Sequence, residues 1–145
     1  MNKLLIALAF AAGGLLHISV LAQDAGAGDA LYKALGEKAG ISRIADDFVR
    51  RMVADTRITA MFKNTKLPNL KEQIRDQFCF LSGGPCKYEG DSMKTAHKEL
   101  GVNKANFNLA VEHLQLAMDG NGVPFRDQNK LLALLAPMHR DIITR

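Results

Sequence analysis

Cysteine is scarce in this chain, and the shortage removes several chemistries at once. Two cysteines, Cys79 and Cys86, occur among 145 residues. No set of histidine, cysteine and carboxylate stands at the spacing of a zinc or di-iron site. Lysine and arginine are dispersed: no run is dense enough for a nucleic-acid surface, and no aromatics interleave with the bases. No Ser-His-Asp order, phosphate loop or paired carboxylates stand out, and there is no flavin or nicotinamide region. Apolar and polar residues never alternate with period two for long, which excludes a sheet-based fold. Long apolar runs are equally rare. Leu4 to Leu16 is broken by Gly13 and Gly14 and is too short for a stable membrane span.

That run has another use. It follows Met1-Asn2-Lys3 and precedes Ser19-Val20-Leu21-Ala22, where Val20 and Ala22 suit a signal-peptidase site. We expect residues 1–22 to be a signal peptide cleaved after Ala22, with an uncleaved amphiphilic anchor as the alternative. No cysteine at the site offers a lipid attachment. Residues 23–28, QDAGAG, read as a flexible leader, and residues 29–145 are enough for one domain. Loss of Lys3 lowers the formal charge from +4 to +3, mildly basic. The exported chain is expected in the periplasm or outside the cell. There Cys79 and Cys86, flanking Ser82-Gly83-Gly84-Pro85, can close one local disulfide between a helix end and the following loop. A buried Cys79 acting as a small hydrophobe, or a reactive thiol pair, are the alternatives.

Helical periodicity fills the rest. Asp29 is placed to cap a short helix to about Leu35, ended by Gly36. Ile41, Ile44, Ala45, Phe48, Val49 and Met52 then recur at i, i+3, i+4, i+7, i+8 and i+11, a helix over Ile41–Ala54. A helical turn follows from about Thr56 to Phe62. Pro68 suits the first turn of a helix whose inward stripe is Leu70, Ile74, Gln77, Phe78 and Leu81, with Gln73 beside it. Gly83-Gly84-Pro85 ends it. Beyond a short helix around His97, Asn103 can cap a helix bearing Phe107, Ala110, Val111, Leu114, Ala117 and Met118 on one face. Pro124 opens the last helix, with Leu131, Leu135, Met138 and Ile142 on its core face and Pro137 set to kink it. The fold class is all-α.

One histidine stands apart. His113 and His139 lie at the edges of their apolar stripes. His97 is centred on one, sharing a face with Met93, Ala96 and Leu100 and pointing with them towards the interior. A neutral imidazole so placed serves either as a satisfied core hydrogen-bonding group or as an axial metal ligand. A single protein ligand suffices for one common metal group, a macrocycle that brings the other four donors itself, namely haem. The absence of Cys-x-x-Cys-His excludes thioether-linked haem. On these residues alone both uses stay open.

The order of motifs narrows the choice. Leu31-Tyr32-Lys33-Ala34-Leu35-Gly36, Asp47-Phe48, Phe62, Gly83-Gly84-Pro85 with Tyr88 and Gly90, Met93-Lys94-x-x-His97, Phe107, His113-Leu114 and Gly122-Val123-Pro124 together resemble a group I truncated haemoglobin over residues 30–143. The resemblance implies a two-over-two helical sandwich around haem b, with His97 as the proximal iron ligand and no catalytic side chain. It places Phe62 against the porphyrin and Phe48, Leu70, Ile74 and Phe78 around the distal cavity. Met93, Ala96 and Tyr88 would approach from the proximal and propionate side.

The chain departs from that pattern where a bound gas would be held. Many group I members have a tyrosine donor after the phenylalanine of the second helix; here the position is Val49. The frequent distal glutamine is replaced by Ile74, leaving Gln73 and Gln77 as the nearby amides. A charge-assisted hydrogen bond is worth roughly 1.5–3 kcal/mol, so its loss weakens oxygen retention about ten- to a hundredfold. Carbon monoxide and nitric oxide need it less. We therefore expect a monomeric, quick-release or redox-active globin for O2, CO or NO, not a tight oxygen store. Nitric-oxide dioxygenase turnover would need a separate reductase; weak peroxidase chemistry is a further option. With no histidine on the Leu67–Leu81 helix, an open sixth iron site is expected. The competing reading is an exported helical interaction or haem-carrier module in which His97 belongs to the core or gas chemistry plays no part.

Overall fold

The structure is a computed structural model, and it describes residues 28–145. The expected signal peptide, and the leader up to residue 27, lie outside the described residues. Helix α1 spans Ala30–Ala34 and α2 spans Glu37–Ala54, followed by a 3-10 turn at Thr59–Phe62. Helices α3, Leu67–Leu81, and α4, Met93–His97, precede α5, Lys104–Gly120, and α6, Phe125–Leu135. A second 3-10 turn, Ala136–Met138, leads into α7, His139–Ile142. There is no strand among the described residues.

Helix α2 begins four residues before the expected Ile41, and the reason is backbone geometry. Gly36 (φ 82°) and then Glu37 (φ 56°) turn the chain back through the left-handed region, so the new helix starts at once. The tight reversal leaves no room at Gly40, where a Cβ would lie 2.1 Å from the Leu35 carbonyl oxygen. Asp29 flanks α1 without a capping side-chain bond; instead its carboxylate pairs with Lys33 at 2.8 Å. The caps of the later helices are better developed. Asn103 and Asn106 satisfy each other's backbone N–H groups at the start of α5, and Ser92 accepts from Thr95 at the start of α4. Pro137 removes a backbone donor, and the helix gives way to the 3-10 turn as expected.

Helices α2 and α3 form one layer and α5 and α6 the other, with α2 crossing α5 and α3 touching α6. This is the all-α two-over-two sandwich. Leu35, Ile41, Ile44, Phe78, Leu114, Met118 and Leu131 fill the space between the layers. Each buried Leu or Ile contributes about 1.5–3 kcal/mol of transfer free energy. Two of the buried polar side chains, Gln128 and Asp127, are well paired. Gln128 donates to Asp119 at 2.5 Å and to the Val123 carbonyl at 3.0 Å, fixing the α5–α6 turn. The Asp127 carboxyl, bonded to Lys130 and Arg126, is held below the usual carboxylate range. No helix of the described residues is long and apolar enough to cross a membrane.

Candidate functional site

The site lies where α3, the 82–92 segment, α4 and the C-terminal helix approach one another. Its first wall is apolar. Phe48 and Val49 of α2, Phe62 of the 3-10 turn, and Leu70 and Ile74 of α3 pack in one cluster with Met52 and Ile58. Val49 is buried, and the Phe48 and Phe78 rings stack with centroids 6.4 Å apart. No hydrogen-bond donor comes from Val49, Leu70 or Ile74 themselves.

His97, at the end of α4, supplies the candidate chemistry. Its Nδ1 lies 2.8 Å from the carbonyl oxygen of Met93, one turn earlier. A carbonyl can only accept, so Nδ1 carries a proton, and in the neutral ring the Nε2 lone pair is then the one free to bind a metal. Nε2 makes no hydrogen bond among the described residues. This orientation, with one nitrogen donating to the backbone and the other unengaged, is the one a metal-ligating histidine adopts. The surroundings differ from expectation. Helix α4 ends at His97, and Leu100 turns out to solvent behind it, as does Ala96. The periodicity argument carried the helix one turn too far, because Leu100 donates to the His97 carbonyl in a tighter turn. Met93 and His97 remain half-buried and share a face.

A cavity of about 260 Å³ lies beside these groups, bordered by Gln77, Phe80, Leu81, Tyr88, Met93, Met138 and Asp141; neither His97 nor the apolar cluster lines it. Gln77 is buried, and its amide nitrogen lies 3.6 Å from the Met93 sulfur and 3.7 Å from the Met138 sulfur. Thioethers are weak acceptors, so this amide is poorly satisfied. Gln73 is exposed, its side-chain oxygen set against Gly90, where a Cβ would lie 2.0 Å from it. Tyr88 is half-buried and donates to the Asp91 carbonyl at 2.8 Å; burial pushes its phenol up, keeping that proton in place. Lys71 lies outside the stripe, paired with Asp46 at 3.3 Å. Cys79 and Cys86 are joined in a disulfide. His139 is exposed and borders a second cavity, of about 430 Å³, with Phe107, Lys104 and Ile143.

One cluster was not foreseen. His113 is buried, with Nε2 2.8 Å from Asp55 Oδ2, and Asp55 also takes Arg57 in a two-pronged pair. Arg57, through side chain and backbone, holds the Asp55 carboxyl well below the usual carboxylate range, with His113 adding to the effect. His113 Nδ1 is buried without a partner among the described residues. A stripe-edge histidine suits a surface or hydrogen-bonded role, and the structure shows the latter; the sequence did not name its partner.

Known proteins share this fold. A family model described as bacterial-like globin matches residues 30–144. The group 1 truncated hemoglobin GlbN of Synechocystis sp. is 30% identical over 121 residues, covering 79% of this chain and 98% of that protein. The group 1 truncated hemoglobin GlbN of Mycolicibacterium paratuberculosis is 29% identical over 114 residues, 79% of this chain and 84% of its own length. Among solved structures, the truncated hemoglobin of Tetrahymena pyriformis in its Fe(III) form superposes with a TM-score of 0.75 at 26% identity, covering 79% of this chain and 98% of that one. The 2/2 hemoglobin of Synechococcus sp., solved in the cyanomet state with covalently attached heme, gives 0.74 at 25% identity over 79% of this chain and 98% of its own. Family model, relatives and fold agree: this chain belongs to the bacterial-like globin family, as a group 1 truncated haemoglobin.

Proposed function

We propose that the chain holds haem b through His97 and binds a diatomic gas, O2, CO or NO, on the opposite side. The observation that carries this reading is the bare Nε2 of His97, produced by the Nδ1–Met93 carbonyl bond. The residues present fit the group: one oriented imidazole and an apolar cluster to receive it. Haem, when bound, supplies an iron centre with a coordination position for a gas. The chain's own part is to present Nε2, hold the imidazole in one tautomer, and line the distal side with Phe48, Val49, Leu70 and Ile74. Such a lining excludes water and offers a bound gas no donor. Gas therefore leaves quickly, which suits exchange or redox turnover better than storage. The disulfide supports export of the chain to an oxidising compartment.

The test is an absorption spectrum of the chain produced with ample haem, in ferric, ferrous and CO forms. A Soret band that shifts with CO is expected, and His97→Ala should lose most of it. A folded, colourless chain would overturn the reading.

A further inference from the structure

We propose that the Cys79–Cys86 disulfide is a thiol–disulfide exchange site for a dithiol reductant, and that opening it loosens the chain's hold on haem; the inference rests on the haem reading above. Cys79 lies in the last turn of α3 and Cys86 in the segment that follows, with Cα atoms 5.7 Å apart. That segment, residues 82–92, is the short covalent path from the helix carrying Leu70, Ile74 and Gln77 to the helix carrying His97. Helix α4 has five residues, too few to hold itself together, and it packs chiefly on α7. On its N-terminal side its position depends on what fixes residues 82–92.

The disulfide is the strongest of those fixings. Others include the Gly84 N–H to the Cys79 carbonyl at 2.8 Å, the Ser82 N–H to the Phe78 carbonyl at 3.0 Å and the Tyr32 N–H to the Ser82 carbonyl at 3.0 Å. Tyr32 also closes over Gly84, where a Cβ would meet its ring at 2.5 Å and the Cys79 sulfur at 2.6 Å. Further along, Gln73 rests against Gly90 and Tyr88 donates to Asp91. Each of these trades against water; the covalent bond does not.

Exposure sets the direction of attack. Cys79 is 2% exposed, whereas Cys86 is half-buried. No free cysteine occurs among the described residues, so the reducing equivalents come from outside the chain. The thiolate of the reductant attacks Cys86 Sγ, the S–S bond breaks, and Cys79 leaves as a thiolate that takes up a proton. The second thiol of the reductant then attacks the mixed disulfide and expels Cys86, which takes up another proton. The chain gains two electrons and two protons, and the reductant becomes a disulfide. The 82–92 segment then keeps its hydrogen bonds and packing contacts but no covalent tie to α3, and α4 keeps its packing on α7.

The test uses the full chain reconstituted with ferric haem. Haem loss to excess apomyoglobin is followed at the Soret band in three forms: the disulfide form, the form reduced by a dithiol and alkylated with iodoacetamide, and Cys79→Ser/Cys86→Ser. Loss about tenfold faster in the second and third forms is expected. If the double variant fails to fold, the reduced and alkylated chain answers the question. Equal rates within twofold, with a Soret band in every form, would overturn the exchange-site proposal and leave the haem reading intact. Loss of helical circular dichroism on reduction would also overturn it, because the bond would then be a staple for the whole fold. No Soret band in the disulfide form would overturn both.

Discussion

Replacing Val49 by tyrosine tests the account of the distal wall most directly. Val49 is 1% exposed and packs with Met52, Ile58, Phe48, Phe62, Leu70 and Ile74. A tyrosine there adds a ring to a filled cluster, at a cost of about 1–3 kcal/mol in stability. It also adds the one thing the cluster lacks, a hydroxyl donor. If that donor reaches the bound gas with a charge-assisted bond of about 1.5–3 kcal/mol, oxygen loss slows by about ten- to a hundredfold. Val49→Phe is the partner experiment, because it adds nearly the same volume without the hydroxyl. Oxygen dissociation from the ferrous chain, measured by stopped flow with CO as trap, should be slow in the tyrosine variant and fast in the phenylalanine variant and the parent. Equal rates for the tyrosine and phenylalanine variants would show that a donor at this position does not govern release, and the argument from the apolar wall would fail.

Other expectations follow from neighbouring residues. Gln77→Leu removes an amide satisfied only by two methionine sulfurs, so chemical denaturation should shift by no more than about 1 kcal/mol either way. Its oxygen off-rate should stay within twofold of the parent; a large rise would show that the amide serves the gas and not the thioethers. The Asp55 carboxyl is depressed in the folded chain, so its contribution to stability is present above the unfolded carboxylate pKa of about 3.9 and is lost as pH falls towards the folded value. Asp55→Asn should therefore flatten the acid limb of stability below about pH 4 in urea titrations; an unchanged limb would contradict the pairing. Gly40→Ala places a carbon against the Leu35 carbonyl and should destabilise the fold by about 2 kcal/mol or more, measured by thermal unfolding.

Much of this was readable in the sequence, for reasons that differ by residue. Ile41, Ile44, Val49 and Met52 repeat at the helical period because α2 buries one face, and the pattern states that face outright. Pro68 and Asn103 mark helix starts through chemistry local to each of them. The start of α2 was misplaced because it depends on a left-handed turn at Gly36 and Glu37, and a glutamate does not advertise a positive φ. Leu100 was assigned to the interior because periodicity assumes that the helix continues, and α4 stops at His97. The Asp55–His113 pair spans 58 positions, so nothing local to either residue announces it. Gln77 was legible as an oddity in an apolar stripe, but its methionine partners sit 16 and 61 positions away. The disulfide was one of three options until the backbone brought the two cysteines together.

The last two residues of the chain, Thr144 and Arg145, donate their N–H groups to the Val102 carbonyl, and the Arg145 side chain covers Gly101, just past the His97 helix. At the other end, the Gly28 carbonyl lies so close to Gly83 that a side chain there would collide with it. Both ends of the described chain are thus moored beside the two segments that frame α4. A fluorophore, affinity tag or surface tether attached directly after Arg145 would pull on the histidine's own neighbourhood, so protein labelled there needs its spectrum compared with that of the unlabelled chain.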